Sequence, residues 1–157
     1  MGTEIERKFL VTSDEWRGMA PGIGYRQGYL SSSKERTVRV RIAGDTAFLT
    51  IKGKTSGISR MEYEYPIPVE DASVLLRELC DQPIIEKKRY TINYQGFVWE
   101  VDEFFGENAG LLVAEIELEE ENQEFAKPPW IGEEVSADRR YSNASLVENP
   151  FCQWGCR

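Results

Sequence analysis

The chain has 157 residues, of which 41% are hydrophobic, and a formal net charge of −8. That size fits one domain with a real core and argues against disorder, while the acidic sum argues against a nucleic-acid partner. The sequence holds no histidine. This excludes a Ser-His-Asp triad, an imidazole base and a His-rich metal site, so any acid–base chemistry must come from Glu, Asp, Lys, Tyr or metal-bound water.

No apolar run approaches the roughly 20 residues that a helix needs to cross a bilayer. The opening MGTEIERKFLV is charged where a signal peptide is apolar. Gly2 invites a myristoylation reading, but Glu6 stands where that motif needs Ser or Thr. A cytoplasmic protein with no membrane partner is expected. Cys80, Cys152 and Cys156 are an odd count without a leader, which argues against a disulfide framework. Without histidine, a zinc site also lacks ligands. The last two cysteines lie in FCQWGCR. Residues 150–157 are therefore expected as a loose tail behind a single domain over residues 1–149.

In chain order, short segments show period-two alternation. Glu4, Glu6 and Lys8 share one face, with Ile5, Phe9 and Val11 on the other; Arg7 is an exception on the apolar side. A strand is expected over Tyr25 to Leu30. Arg39 and Arg41 then oppose Val38, Val40 and Ile42. After a Gly44-Asp45 turn, Ala47, Leu49 and Ile51 oppose Phe48, Thr50 and Lys52. Beyond a loop over 53–59, Arg60, Glu62 and Glu64 oppose Met61, Tyr63 and Tyr65. Pro66 and Pro68 end that strand. Residues 69–81 predict a helix with Val69, Ala72, Leu75, Leu76 and Leu79 on one stripe. Strands resume with Lys87 and Arg89, then Glu100 and Asp102 against Phe97, Trp99 and Val101, then Glu115 and Glu117 against Ala114, Ile116 and Leu118. Short helices are expected over 121–126 and 143–148. About eight strands joined mostly by short turns suggest an antiparallel sheet that curls or closes.

For any one strand, the simplest reading is a solvated polar face opposite a buried one. Two features of the set point elsewhere. The polar faces are dense in charge, with like charges two residues and about 7 Å apart, which repel unless neutralised. The signs also segregate, so that some strands present bases and others acids. A charged face turned inward would be tolerable only in a wet, ion-filled lumen, since buried unpaired charges cost several kcal/mol each. Its apolar outer face would then need covering by helices or a second copy of the chain, which leaves room for a homodimer. Carboxylate clusters suit hard cations, and Arg and Lys clusters suit phosphates.

The opening Glu4-x-Glu6-x-Lys8 strand resembles the signature of the CYTH family, also called triphosphate tunnel metalloenzymes. Arg26 to Leu30, Arg39-x-Arg41, Thr50-x-Lys52, Glu62-x-Glu64, Lys87-x-Arg89, Glu100-x-Asp102, Glu115-x-Glu117 and Arg140-Tyr141-x-Asn143 follow in the order that family uses, over residues 3–147. The resemblance implies a mainly β fold, a closed eight-stranded antiparallel barrel or tunnel with a few helices outside. It implies Glu4, Glu6, Glu100, Asp102, Glu115 and Glu117 as metal ligands, with Glu62 and Glu64 as further ligands or partners of the arginines. Lys8, Arg39, Arg41, Lys52, Arg60, Lys87, Arg89 and Arg140 would hold phosphate. Lys8, Tyr29 and Glu6 are the candidates for helping water attack.

The cofactor would be Mg²⁺ or Mn²⁺, as two ions, and the substrate a small-molecule triphosphate. The compact chain and its resemblance to short bacterial members favour inorganic triphosphate, hydrolysed to pyrophosphate and phosphate. Class IV-like adenylyl cyclisation and nucleoside or thiamine triphosphate hydrolysis remain alternatives. A non-catalytic polyphosphate- or nucleotide-binding module would keep the bases without needing the acids. Arg7 on the outer face and Phe48 on the inner one each predict a bulge or a tunnel mouth.

Overall fold

A computed structural model describes residues 2–155. Nine strands occur among them: β1 (Gly2–Val11), β2 (Gly22–Ser32), β3 (Arg36–Ala43), β4 (Thr46–Gly53), β5 (Ser59–Ile67), β6 (Ile85–Tyr94), β7 (Phe97–Phe104), β8 (Leu112–Glu117) and β9 (Ile131–Glu134). There are two α-helices, α1 (Val69–Glu78) and α2 (Asn143–Glu148). The order β5-β4-β3-β2-β6-β7-β8-β1 is antiparallel throughout, and β5 also pairs with β1. That last pairing closes an eight-stranded barrel. It is possible because β1 divides its length: Gly2 to Ile5 pair with β5, and Glu6 to Leu10 pair with β8. β9 is an addition outside the closed set, joined to β1 at Phe9 and Val11 across a register shift.

The alternation sets what faces where. In β3, the β-branched Val38, Val40 and Ile42 suit a pleated surface and point outward, which turns Arg39 and Arg41 into the barrel. The outer apolar face is covered in two places. α1 starts at Pro68, whose extended φ/ψ suits a residue preceding a helix, and it carries Glu70 and Asp71 in its first turn and Arg77 in its last, as the helix dipole favours. Its Ala72 and Leu76, one turn apart, pack on Val40, Ile42 and Ala47. Gly28 of β2 lets the end of this helix approach, since a Cβ there would lie 2.8 Å from the Cys80 Cβ.

On the other side, Trp16 and the segment 118–131 cover Phe9, Trp99, Val101 and Ile116. Trp99 meets Phe9, Phe125 and Trp130 edge-on at 5.5, 5.8 and 6.4 Å. Each such side chain contributes about 1.5–3 kcal/mol by leaving water. The outer face is not covered throughout: Ile51, Met61, Tyr63 and Tyr65 of β4 and β5 stay exposed.

Two expectations need correction. Residues 121–126 form no helix. There the Arg7 guanidinium donates to the Glu121 carbonyl, the Glu119 N–H donates to the Gln123 side chain, and Phe125 lies against Phe9 and Trp99. The extended chain reaches these partners, and Pro128 and Pro129 follow. Residues 150–155, expected as a loose tail, pack instead. A short 3₁₀ turn at Phe151–Gln153 sets Phe151 and Trp154 against a buried cluster that includes Leu146 and Val147. Cys156 lies outside the described residues.

Candidate functional site

The barrel encloses a cavity of about 860 Å³. Into it point Glu4, Glu6 and Lys8 of β1; Tyr25 and Tyr29 of β2; Arg39 and Arg41 of β3; Lys52 of β4; and Arg60, Glu62 and Glu64 of β5. Lys87 and Arg89 of β6, Glu100 of β7, and Glu115 and Glu117 of β8 complete the wall. Asp102 sits behind it, fully buried. Of the residues expected from sequence, Arg140 is not brought in. It is exposed, doubly bonded to Asp138 and stacked on the Trp154 ring at 4.7 Å. Its neighbour Arg139 lines the cavity instead.

Arg7 and Phe48 both have structural explanations. Arg7 stays on the outer face, paired with Glu134 at 3.2 Å and lying over Phe125. Phe48 faces inward at one end of the cavity, opposite Arg41 on β3.

The charges interlock across strands. Lys52 lies 3.1 Å from Glu4 and 3.5 Å from Glu62, and Arg60 lies 3.3 Å from Glu4. Thr50 donates to Glu64 at 2.9 Å, and Arg39 stands 3.7 Å from the same carboxylate. Arg89 donates to Asp102 through Nε and Nη2 at 2.7 and 2.8 Å, and reaches Glu115 at 3.1 Å and Glu100 at 3.3 Å. Lys87 donates to Asp102 at 2.8 Å. Tyr25 lies among the cations, its ring 5.0 Å from the guanidinium carbons of both Arg41 and Arg89. The Arg39 Nε is buried without a hydrogen-bond partner, a donor left over for an acceptor in the lumen.

The titration shifts follow from this arrangement. Burial alone would raise Asp102 and Glu115, yet Arg89 and Lys87 hold Asp102 below its usual value, and Lys8 and Arg89 hold Glu115 well below its own. Burial also opposes Glu4, which Lys52 and Arg60 lower. Glu6 behaves oppositely. Enclosure, then the charges of Glu115 and Glu4, push it well above the carboxylate range. Glu117 rises through burial and the neighbouring Glu4, Glu62 and Glu100. Burial lowers Lys87 to about 7 and Arg41 to about 10.

Glu4, Glu6, Glu100, Glu115 and Glu117 thus share three adjoining strands, and burial raises Glu6, Glu100 and Glu117 among them. Among the described residues, no three acids converge into a ready-made cage. The donor set is nonetheless all carboxylate oxygen and mutually repelling, which fits a hard divalent cation.

One feature was missed in the sequence. Asn143, at the start of α2, accepts from Lys87 at 2.9 Å and from Gln27 at 3.0 Å through the same oxygen, and Gln27 in turn accepts from Arg41 at 2.8 Å. α2 closes part of one barrel end above Tyr29, Ile85, Phe104 and Val113. Tyr25 could have been found, since it shares the parity of Gln27 and Tyr29. Asn143 stands in the Arg140-Tyr141-x-Asn143 motif, but its role could not be read there, since strand parity says nothing of a helix that docks from outside.

A closed antiparallel barrel whose lumen pairs carboxylate strands with basic strands is a charged tunnel built for a polyanion and cations. The chain belongs to the CYTH domain family, whose profile matches residues 2–149. It is 55% identical over 151 residues to an inorganic triphosphatase of Acetivibrio thermocellus, covering 96% of this chain and 97% of that one. It is 38% identical over 149 residues to an inorganic triphosphatase of Nitrosomonas europaea, covering 92% and 97%. A crystal structure of an inorganic triphosphatase superposes with a TM-score of 0.66 at 35% identity, over 91% of this chain and 96% of that one. Among the described residues, no helix is long and apolar enough to cross a membrane.

Proposed function

We propose that this chain hydrolyses inorganic triphosphate to pyrophosphate and phosphate, with divalent metal, inside the barrel. The observation that carries the reading is the basic wall of Arg39, Arg41, Lys52, Lys87 and Arg89 facing the acids of β1, β7 and β8 across one cavity. Such a wall offers a linear polyanion several bidentate and single contacts at once. The similarity to inorganic triphosphatases over nearly the whole chain supports the same substrate. No specific observation favours cyclisation of a nucleotide or a binding module without turnover.

The residues divide the work. Arg39, Arg41, Lys52, Lys87 and Arg89 bind and orient the phosphates, and their charge stabilises the transferred group as it separates. Arg60 holds Glu4 in place and adds charge at the cavity wall. Glu4, Glu6, Glu100, Glu115 and Glu117 are the metal ligands. Glu62 and Glu64 steady Lys52 and Arg39, and Asp102 anchors Lys87 and Arg89 rather than facing the lumen. A divalent cation, Mg²⁺ or Mn²⁺ and two ions by the number of carboxylates, supplies charge neutralisation and an acidified water.

Lys8 pairs with Glu115 across β1 and β8, and enclosure beside Glu115 and Glu4 raises the Glu6 carboxyl well above the carboxylate range. These two are therefore the groups best set to handle the proton of the attacking water. Tyr29 is less favoured, since its hydroxyl lies 3.5 Å from the Gln27 amide beside an apolar cluster. A cytoplasmic setting suits the buried Cys80 thiol.

The test is hydrolysis of tripolyphosphate, ATP and thiamine triphosphate with Mg²⁺ or Mn²⁺, reading phosphate, pyrophosphate and cyclic AMP. Metal-dependent release from tripolyphosphate above all others, lost in Glu6→Gln, is expected. Cyclic AMP as the main product, or tight binding with no turnover, would overturn the reading.

A further inference from the structure

The two ends of the barrel carry opposite charge, and strand direction shows which groups share an end. Lys34 lies in the turn between β2 and β3, and Lys54 follows β4 directly. Arg36 pairs with Gly53, so these two lysines share one end. Arg139, from the segment leading to α2, lines the cavity with them. All three are exposed, and among the described residues none makes an ion pair.

Two acids also reach this rim, and both have partners. Asp138 is taken by Arg140 at 2.7 Å, which explains why a base next to Arg139 turns away from the cavity. Glu148 accepts from Ser32 at 3.5 Å. The opposite end is marked by the turn between β6 and β7, because Tyr90 near the end of β6 pairs with Gly22 at the start of β2. A second cavity of about 310 Å³ opens there, lined by Glu100, Glu117 and Glu119. The lining of that cavity offers a polyanion carboxylates and no Lys or Arg.

We propose that the triphosphate enters and leaves through the end of the barrel rimmed by Lys34, Lys54 and Arg139, and that these three unpaired cations capture it before the tunnel bases bind it. The proposal rests on the reading of the cavity as a triphosphate site. Its physical basis is focusing: fixed charges of one sign at the mouth of a low-dielectric cleft raise the local concentration of the opposite ion and speed its association. Because the three side chains reach into solvent, their effect falls as salt shortens the Debye length, whereas bases deep in the tunnel are screened much less. They contact the anion on its way in and not the transferred phosphorus. They therefore act on kcat/KM and leave kcat alone.

The test compares a rim triple variant, Lys34→Gln, Lys54→Gln and Arg139→Gln, with a control triple, Arg26→Gln, Arg77→Gln and Lys88→Gln. The control positions are exposed and line neither cavity, so the two variants change net charge equally at different places; of the control residues Arg77 pairs with Glu78 at 2.9 Å. At low salt the rim variant should hydrolyse tripolyphosphate with kcat/KM about tenfold lower than wild type. Its kcat should stay unchanged, and the gap should close at about 0.5 M salt. The control should match wild type. Titration calorimetry with tripolyphosphate in EDTA, where turnover is absent, should show the same salt-dependent loss for the rim variant alone.

Rim and control variants that behave alike would overturn the proposal, as would a loss that salt does not reduce. If wild type hydrolyses no tripolyphosphate, the functional reading fails, and the EDTA titration still decides the rim: weaker binding by the rim variant upholds it, and equal binding overturns it.

Discussion

Lys87 donates to Asp102 at 2.8 Å with both side chains sealed from solvent, 0% and 1% exposed. Arg89 donates to the same carboxylate at 2.7 Å, so one buried acid holds two of the bases that face the cavity. Removing one partner of such a set leaves uncompensated charge, which costs about 3–5 kcal/mol. Asp102→Ala is expected to lower the melting temperature by roughly 6–20 °C and to abolish detectable turnover. Thermal unfolding followed by circular dichroism checks the first expectation, and phosphate release the second. A variant that melts with wild type would mean that Lys87 and Arg89 find other counter-charges.

The low value of Lys87, about 7, gives a pH prediction whose sign can be worked out. Burial sets it first; Arg89 and Arg41 add to the lowering, and Asp102 opposes it. With that value the amine is mostly neutral at pH 8 before an anion binds. A polyanion placed beside it favours the charged form and raises its pKa, so binding at pH 8 must take up a proton. At pH 6 the amine is already charged, and this uptake disappears. Calorimetric titration of tripolyphosphate in EDTA, in two buffers of different ionisation enthalpy, reads the proton count. Uptake at pH 8 that is lost at pH 6 and in Lys87→Gln is expected. Equal heats in both buffers at pH 8 would refute the assignment.

Much of this site was readable in the sequence because strand parity is rigid: every second residue of β1, β3, β5, β7 and β8 shares a face. That is why Glu4 and Glu6, or Arg39 and Arg41, could be paired without coordinates. Parity fails where the chain leaves the ladder. Arg140 resembled a phosphate ligand, but it lies in a 3₁₀ turn whose geometry sends it to Asp138 and leaves Arg139 at the cavity. The apolar and charged mix over 121–126 looked helical, yet those residues serve as a cover for Trp99 and Phe9, and cover segments have no period to read. Asp102 had the right parity and the right charge. Only three-dimensional packing reveals that two bases occupy it.

The shared oxygen of Asn143 predicts non-additivity. Lys87 and Gln27 both donate to it, and Gln27 passes the constraint to Arg41. Loss of a buried hydrogen-bond acceptor costs about 1–3 kcal/mol, so Asn143→Ala should lower kcat/KM for tripolyphosphate by roughly 10–100-fold. Gln27→Ala should do similar damage. Residues that share one network couple, so the double variant should be little worse than either single one. Losses that multiply would show that the two side chains act separately.

The C-terminal segment supplies the last prediction. Trp154 meets Tyr141 edge-on at 4.9 Å and Phe151 at 5.2 Å. The Phe151 N–H donates to the Asn108 side chain at 2.8 Å, which ties the segment to the turn before β8. These contacts pin α2 from the side away from the cavity, and α2 is the element that carries Asn143. A chain ending at Asn149 would expose Val147 and Leu111 and leave Arg140 without the nearer of its two aromatic partners. By the cost of removing half-buried aromatic rings, it should lose about 1.5–3 kcal/mol and melt roughly 3–12 °C lower. Below its melting point it should also lose kcat/KM, because a loosened α2 no longer holds Asn143 against Lys87 and Gln27. Trp154→Ala should reproduce part of both losses. Gln153→Ala, exposed in the same turn, should reproduce neither. Unfolding curves and kinetics on the truncated chain and these two variants separate a packed closing segment from a dispensable one, and a truncated chain that melts and turns over like wild type would show that α2 needs no support from behind.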